Sequence, residues 1–151
     1  MKKVLSLVAL AMISTIMFAV NDGVKADQNK KEAKSGEVIV MNKEMFINDV
    51  FDYQNSKEWK YKGDKPAIID LYADWCGPCR MISPIIDELA GEYEGRAVIG
   101  KCDVDNNDDI VGKFMVRNIP TIVFIKGGQV VDKQVGACTK ADLVKKLEKL
   151  L

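Results

Sequence analysis

Apolar positions change their spacing several times along this chain, and each change marks an element. Residues 4–20 form an apolar run behind Lys2 and Lys3, whereas residues 27–37 are lysine-rich, polar and without period. The second stretch reads as a flexible linker, because it offers little apolar surface to pack. A short strand follows at 38–41. Asn42 can then cap a helix through about Phe51, with Phe46/Val50 and Ile47/Phe51 paired at helical spacing. Residues 52–65 are polar apart from Tyr53, Trp59 and Tyr61 and read as a connection, with Trp59 expected to pack over a sheet edge.

Pro66 opens a nearly unbroken apolar run to Tyr72, the pattern of a parallel strand covered on both faces. The following helix carries Met81/Ile85/Leu89 and Ile82/Ile86/Ala90 as one wide stripe. Pro84 is expected to kink it, and its end falls between Gly91 and Gly95. A buried strand is predicted at 97–103 and a short helix at 108–114. Strands at 121–125 and 129–135 flank Gly127-Gly128, a two-residue hairpin turn. Thr139 with Asp142 gives a capping-box-like start to a last helix, whose inner side carries Leu143, Val144, Leu147, Leu150 and Leu151. The predicted order is β-α-β-α-β-α-β-β-α, an α/β domain over residues 38–151.

Composition narrows the choice of function. The chain has 151 residues, 48% hydrophobic and 29% charged, enough for the core of one ordinary domain. Its zero formal charge provides no footprint for a nucleic-acid partner. The absence of histidine leaves proton transfer to carboxylates, lysines or thiols. Residues 1–26 have the three-part pattern of a secretory signal, with cleavage expected after Ala26. That loss would remove Lys2, Lys3, Lys25 and Asp22, leaving 19 basic and 21 acidic residues. The protein is thus expected to be exported, to the periplasm of a bacterium. The alternative is an uncleaved membrane anchor, since the apolar run is near the lower limit for spanning a bilayer.

The chemistry is concentrated where the central apolar run meets the long helix. Asp70 is the single carboxylate inside that run, and Cys76-Gly77-Pro78-Cys79 follows it. Two thiols at this spacing can close a disulfide ring or open to a dithiol, exchanging two electrons. A helix starting beside Cys76 directs unpaired N–H groups and the positive end of its dipole at that sulfur. The thiolate is thereby favoured, and in Cys-x-x-Cys motifs the thiol pKa falls well below the free value of ~8.5. Cys76 is expected to be the ionised, solvent-accessible nucleophile, with Cys79 shielded in the first turn and resolving the mixed disulfide. Burial should raise the pKa of Asp70.

Trp75-Cys76-Gly77-Pro78-Cys79, the preceding strand and Pro84 resemble the thioredoxin family. So do Lys101 in a strand, Ile119-Pro120-Thr121 before another, the Gly127-Gly128 hairpin and Val135-Gly136-Ala137. The resemblance covers about residues 38–151 and implies the thioredoxin fold, with a mixed sheet flanked by helices. It implies a catalytic set of Cys76, Cys79, Asp70 as proton acceptor for the resolving thiol, and Lys101 as the lysine tuning that carboxylate. It also implies a cis bond before Pro120 and a shallow substrate rim of Trp75, Gly77, Pro78, Ile119, Pro120, Thr121, Gly136 and Ala137. Tyr72 departs from the family's frequent tryptophan.

The expected activity is therefore reduction of disulfides in exported proteins, by a monomer needing no cofactor beyond the Cys76–Cys79 disulfide and no metal. Gly-Pro between the cysteines resembles the reducing members, although an oxidant or isomerase direction remains an alternative. An exported reductant needs electrons from inside, so a membrane-bound electron donor is the expected partner. A non-enzymatic binding module is the second class of reading, and a four-cysteine zinc site the third, weakened by the lack of a second Cys-x-x-Cys. Cys102 reads as a buried inert thiol; Cys138, after Gly136-Ala137, reads as nearer the groove.

Overall fold

The long apolar run becomes the middle of a five-stranded sheet. A computed structural model describes residues 36–151; the leader at 1–26 and most of the linker lie outside the described residues. Strand β1 (Ile39–Met41) leads into α1 (Lys43–Met45), continued by a π-turn at Phe46–Val50. Then come β2 (Ala67–Tyr72), α2 (Gly77–Glu92), β3 (Val98–Asp103), a 3-10 turn (Val104–Asn106) and α3 (Asp108–Phe114). The chain closes with β4 (Thr121–Lys126), β5 (Gln129–Val135) and α4 (Lys140–Glu148). The sheet order is β1-β3-β2-β4-β5. β3 runs parallel to both β1 and β2, while β4 is antiparallel to β2 and to β5. This is the mixed, helix-flanked α/β architecture the sequence predicts.

Strand alternation splits β2 between two cores. Ile69 and Leu71 face a cluster with Phe46, Ile110 and Phe114, under α1 and α3. Ile68 faces Ile82, Ile86, Leu89, Leu143 and Leu147, under α2 and α4. The residues from Ala67 to Leu71 are all buried, and each Ile or Leu among them contributes about 1.5–3 kcal/mol. Asp70 therefore shares the α2 side with Ile68. The register aligns it with Lys101 on β3 and Ile122 on β4.

Several boundaries differ from expectation. Asn42 caps its helix through Met45 N–H at 2.8 Å, but the regular turn ends after three residues and widens into the π-turn, and Phe51 is extended. Trp59 is not a sheet-edge cover. Its ring lies 4.7 Å from Phe51 and 5.3 Å from Phe114, within the α1/α3-side cluster. Met81 is 66% exposed, because the buried stripe of α2 is the narrower set Cys79, Ile82, Ile86, Leu89 and Ala90. Leu151 is exposed beyond the end of α4. Pro84 sits inside an α2 that is helical throughout Gly77–Glu92. Gly127 and Gly128 both take positive φ (56° and 84°), as the hairpin turn requires. Thr139 and Asp142 form the reciprocal capping box. Among the described residues no helix is long and apolar enough to cross a membrane.

Candidate active site

Cys76 is the N-cap of α2, a position that needs a side-chain acceptor for the first free N–H groups. Its Sγ accepts from the Cys79 N–H at 3.1 Å. The two sulfurs are bonded to each other, with 5.3 Å between their Cα atoms. Pro78 stands in the first turn, where a missing N–H leaves no helix bond unmade. Ala73 packs with the two cysteines, and Tyr72, Val104 and Ile119 close around them.

The accessible Cys76 expected of the reduced protein is seen here in its bonded form. In the closed ring only 4% of Cys76 and 2% of Cys79 are exposed, against 68% of the neighbouring Trp75. Ala73 is buried with the two cysteines, and Tyr72, Val104 and Ile119 pack against them.

The rim itself is assembled from distant segments. The Ile119–Pro120 bond is cis, and Pro120 is buried. The Pro120 carbonyl accepts from the Gly136 N–H at 2.8 Å, tying the two loops together. Gly136 has φ 82°, a conformation that favours glycine. Thr121 is 2% exposed, and its hydroxyl donates to the Asn118 carbonyl at 2.6 Å; it supports the loop rather than lining the surface. Gly77 is half-buried, while Pro78 and Ala137 are exposed. The Trp75 indole donates to Asp105 Oδ2 at 2.7 Å, and Arg80 donates to the Asp74 carbonyl at 3.0 Å.

On β2, Asp70 is 1% exposed and neither carboxyl oxygen has a hydrogen-bond partner among the described residues. Burial raises its pKa to about 7; Lys101 opposes the rise and Asp87 adds to it. Lys101 does not bond Asp70 directly. Its ammonium donates to Ser83 Oγ at 2.8 Å, lies 3.8 Å from Asp87 Oδ1 and stands 5.3 Å from the centre of the Tyr72 ring. It therefore acts on Asp70 through its field. Ser83, Asp87 and Asp105 escaped the sequence reading. The first two are four residues apart on α2, but nothing local shows that this face meets Lys101.

The other cysteines are free. Cys102 is fully buried, and burial pushes its thiol up to about 12. Cys138 is half-buried with its pKa raised, mainly by burial and then by Asp142. Among the described residues no cluster of His, Cys, Asp or Glu could hold a metal ion.

Comparison with known proteins agrees with this geometry. The thioredoxin family model matches residues 37–149. Thioredoxin 2 of Chlorobaculum tepidum is 50% identical over 95 residues, which cover 63% of this chain and 87% of that protein. The thioredoxin of Borreliella burgdorferi is 49% identical over 87 residues, covering 58% and 74% respectively. That of Staphylococcus saprophyticus is 49% identical over 84 residues, covering 56% and 81%. The chain belongs to the thioredoxin family, disulfide reductases that work through a redox-active cysteine pair without an external cofactor.

Proposed function

We propose that the protein is exported and reduces disulfides in other exported proteins, drawing its electrons from a membrane-bound donor. The observation that carries the redox step is the Cys76–Cys79 ring at the N-terminus of α2, and the buried carboxyl of Asp70 lies on the strand that leads into it. In the reduced protein the Cys76 thiolate attacks one sulfur of a partner disulfide. That S–S bond breaks, one partner sulfur leaves as thiolate, and a mixed disulfide joins Cys76 to the other. Cys79 then gives its proton, through water, to the Asp70 carboxylate and attacks Cys76 Sγ. The second partner sulfur leaves, both partner thiolates take up protons, and two electrons have passed to the partner. A carboxyl poised near 7 suits this task, since it is part ionised at neutral pH.

The reducing direction rests on Gly77-Pro78 between the cysteines, and export rests on the pattern of residues 1–26. Ile119 is half-buried beside the ring, and its backbone makes no hydrogen bond among the described residues, so a partner strand can pair there. Equilibration with glutathione buffers tests the direction. A potential near −270 mV is expected, and one above about −180 mV would assign an oxidant or isomerase instead. Cys76→Ser should abolish reduction; retained function would assign a binding module. Mass spectrometry of the protein from its native cell should place the N-terminus at Asp27.

A further inference from the structure

One part of the surface beside the ring has no role in the redox step. A groove of about 830 Å³ runs between α2, β5 and α4, floored by Ile82, Ala137 and Cys138, with the exposed Met81 on its wall. It is continuous with the rim through Ala137. Its α4 side carries Lys145, Lys146 and Lys149. Lys146 is already 2.9 Å from Asp132, but Lys145 and Lys149 have no ion-pair partner among the described residues. The one acid lining the groove, Asp142, is held by the Thr139 hydroxyl and N–H at 2.6 and 3.1 Å. On the Trp75 side two acids face one base, Arg80, whose guanidinium donates to the Asp74 carbonyl at 3.0 Å. Asp74 and Asp105 are exposed there, and neither has an ion-pair partner among the described residues.

We infer that the redox rim is a two-signed docking surface that selects disulfide-bearing polypeptides whose acidic residues lie on the flank of the cystine facing α4. The inference rests on the redox reading above and adds a substrate class to it. Charge complementarity identifies the occupant. Lysines over an apolar floor fit an acidic segment with an apolar side chain for Met81 to meet, and an acidic segment on the other flank would face Asp74 and Asp105. The same two aspartates oppose a flat anionic membrane, which would have to cover both sides of the ring.

The test uses the pre-reduced protein in single turnover with two disulfide peptides of identical composition. One has two acidic residues before the cystine and the other has them after it, and a third peptide has serine in all those places. Second-order rate constants of the two acidic peptides should differ about tenfold at low ionic strength, converging as salt is raised to about 0.5 M. Lys145→Glu/Lys149→Glu should reverse the order of the two. Lys57→Glu/Lys60→Glu makes the same charge change in the connection near Gly128, at the opposite end of β4, and should leave the ratio as it was. Equal rates for the two acidic peptides, or a ratio indifferent to the α4 substitutions, would overturn the inference while leaving the redox reading intact. Failure to reduce the serine peptide would instead sink the redox reading. Docking would then be judged by Trp75 fluorescence with cystine-to-serine versions of the acidic peptides, whose affinities should differ in the same order. Equal peptide rates combined with Lys145- and Lys149-dependent binding to phosphatidylglycerol vesicles would assign the lysines to a membrane and overturn the inference.

Discussion

Two regions at opposite ends of β2 each hold a buried polar side chain without a partner, and they are put to different uses. Beyond the C-terminal end of the strand lies the cystine, and Asp70 is buried within the strand before it. Before the N-terminal end the 52–65 connection sets Trp59 among Phe46, Phe51 and Phe114. Among the described residues, Asp70 Oδ1, Asp70 Oδ2 and Trp59 Nε1 are the buried side-chain atoms left unbonded. The indole penalty is the same at every pH, because the group does not titrate. The Asp70 penalty comes and goes with a proton. An unpaired buried group becomes useful chemistry where the group can change its charge.

The largest effect separating the regions should come from Asp70→Asn. Asp70 has a folded pKa of about 7 against 3.8 for the free carboxyl. The native state therefore binds the extra proton, and stability falls as pH rises. The penalty is absent below about pH 4, grows through the window to about pH 7 and is complete above it. A shift of that size corresponds to up to about 4 kcal/mol. Asn leaves a neutral polar group in place, so it should remove this pH-dependent part. Urea unfolding should find the variant stabilised at pH 8 by up to that amount and little changed at pH 4. Resolution of the mixed disulfide should meanwhile slow by roughly 10²-fold. Parallel stability curves for the two proteins would erase the contrast between the regions.

Trp59→Ala should come next. The ring is half-buried among three phenylalanines, so its loss should cost about 3 kcal/mol at pH 4 and pH 8 alike. Disulfide reduction by the folded variant should stay within about twofold of the parent. A pH-dependent cost, or a large loss of rate, would show that the two ends of β2 are coupled.

Lys101→Gln sharpens the contrast on a smaller scale. The lysine holds Asp70 down, so its removal should move the Asp70 midpoint further up, as followed by carboxyl NMR. The sign follows from linkage: a higher folded pKa enlarges the penalty at alkaline pH. The variant should lose about 1 kcal/mol at pH 8 and less at pH 4. A midpoint that stays put would deny Lys101 its effect through space.

The legibility of the two regions in the sequence differs for the same reason that their chemistry does. Cys76 as N-cap, the Gly127-Gly128 turn and the Thr139/Asp142 box are local, each decided within four residues. The nearly unbroken apolar run of β2 likewise makes Asp70 readable as a buried carboxylate. Long-range packing was not readable. The helix from Asn42 slips into a π-turn at Phe46, a ring in contact with Tyr53, Trp59 and Phe114 from other segments. Met81 lies at the edge of its stripe, and no pattern within α2 could say that a groove rather than core would meet it. Lys101 was legible as Asp70's neighbour only through the family resemblance, and its bond to Ser83 and ion pair with Asp87 depend on how α2 crosses β3.

The smallest change asks whether the Trp59 penalty is what it is taken to be. Trp59→Phe replaces the two fused rings by one phenyl ring attached directly to Cβ, and removes the unbonded N–H. Removing a buried, unpaired donor should recover about 1–3 kcal/mol. The lost apolar area and the space left beside Phe51 should cost about as much. The two nearly cancel, so the variant should unfold within about 1 kcal/mol of the parent, at pH 4 and pH 8 equally. A cost as large as that of Trp59→Ala would mean that the N–H is satisfied in solution, and Asp70 would then stand alone as the unpaired group of β2's surroundings.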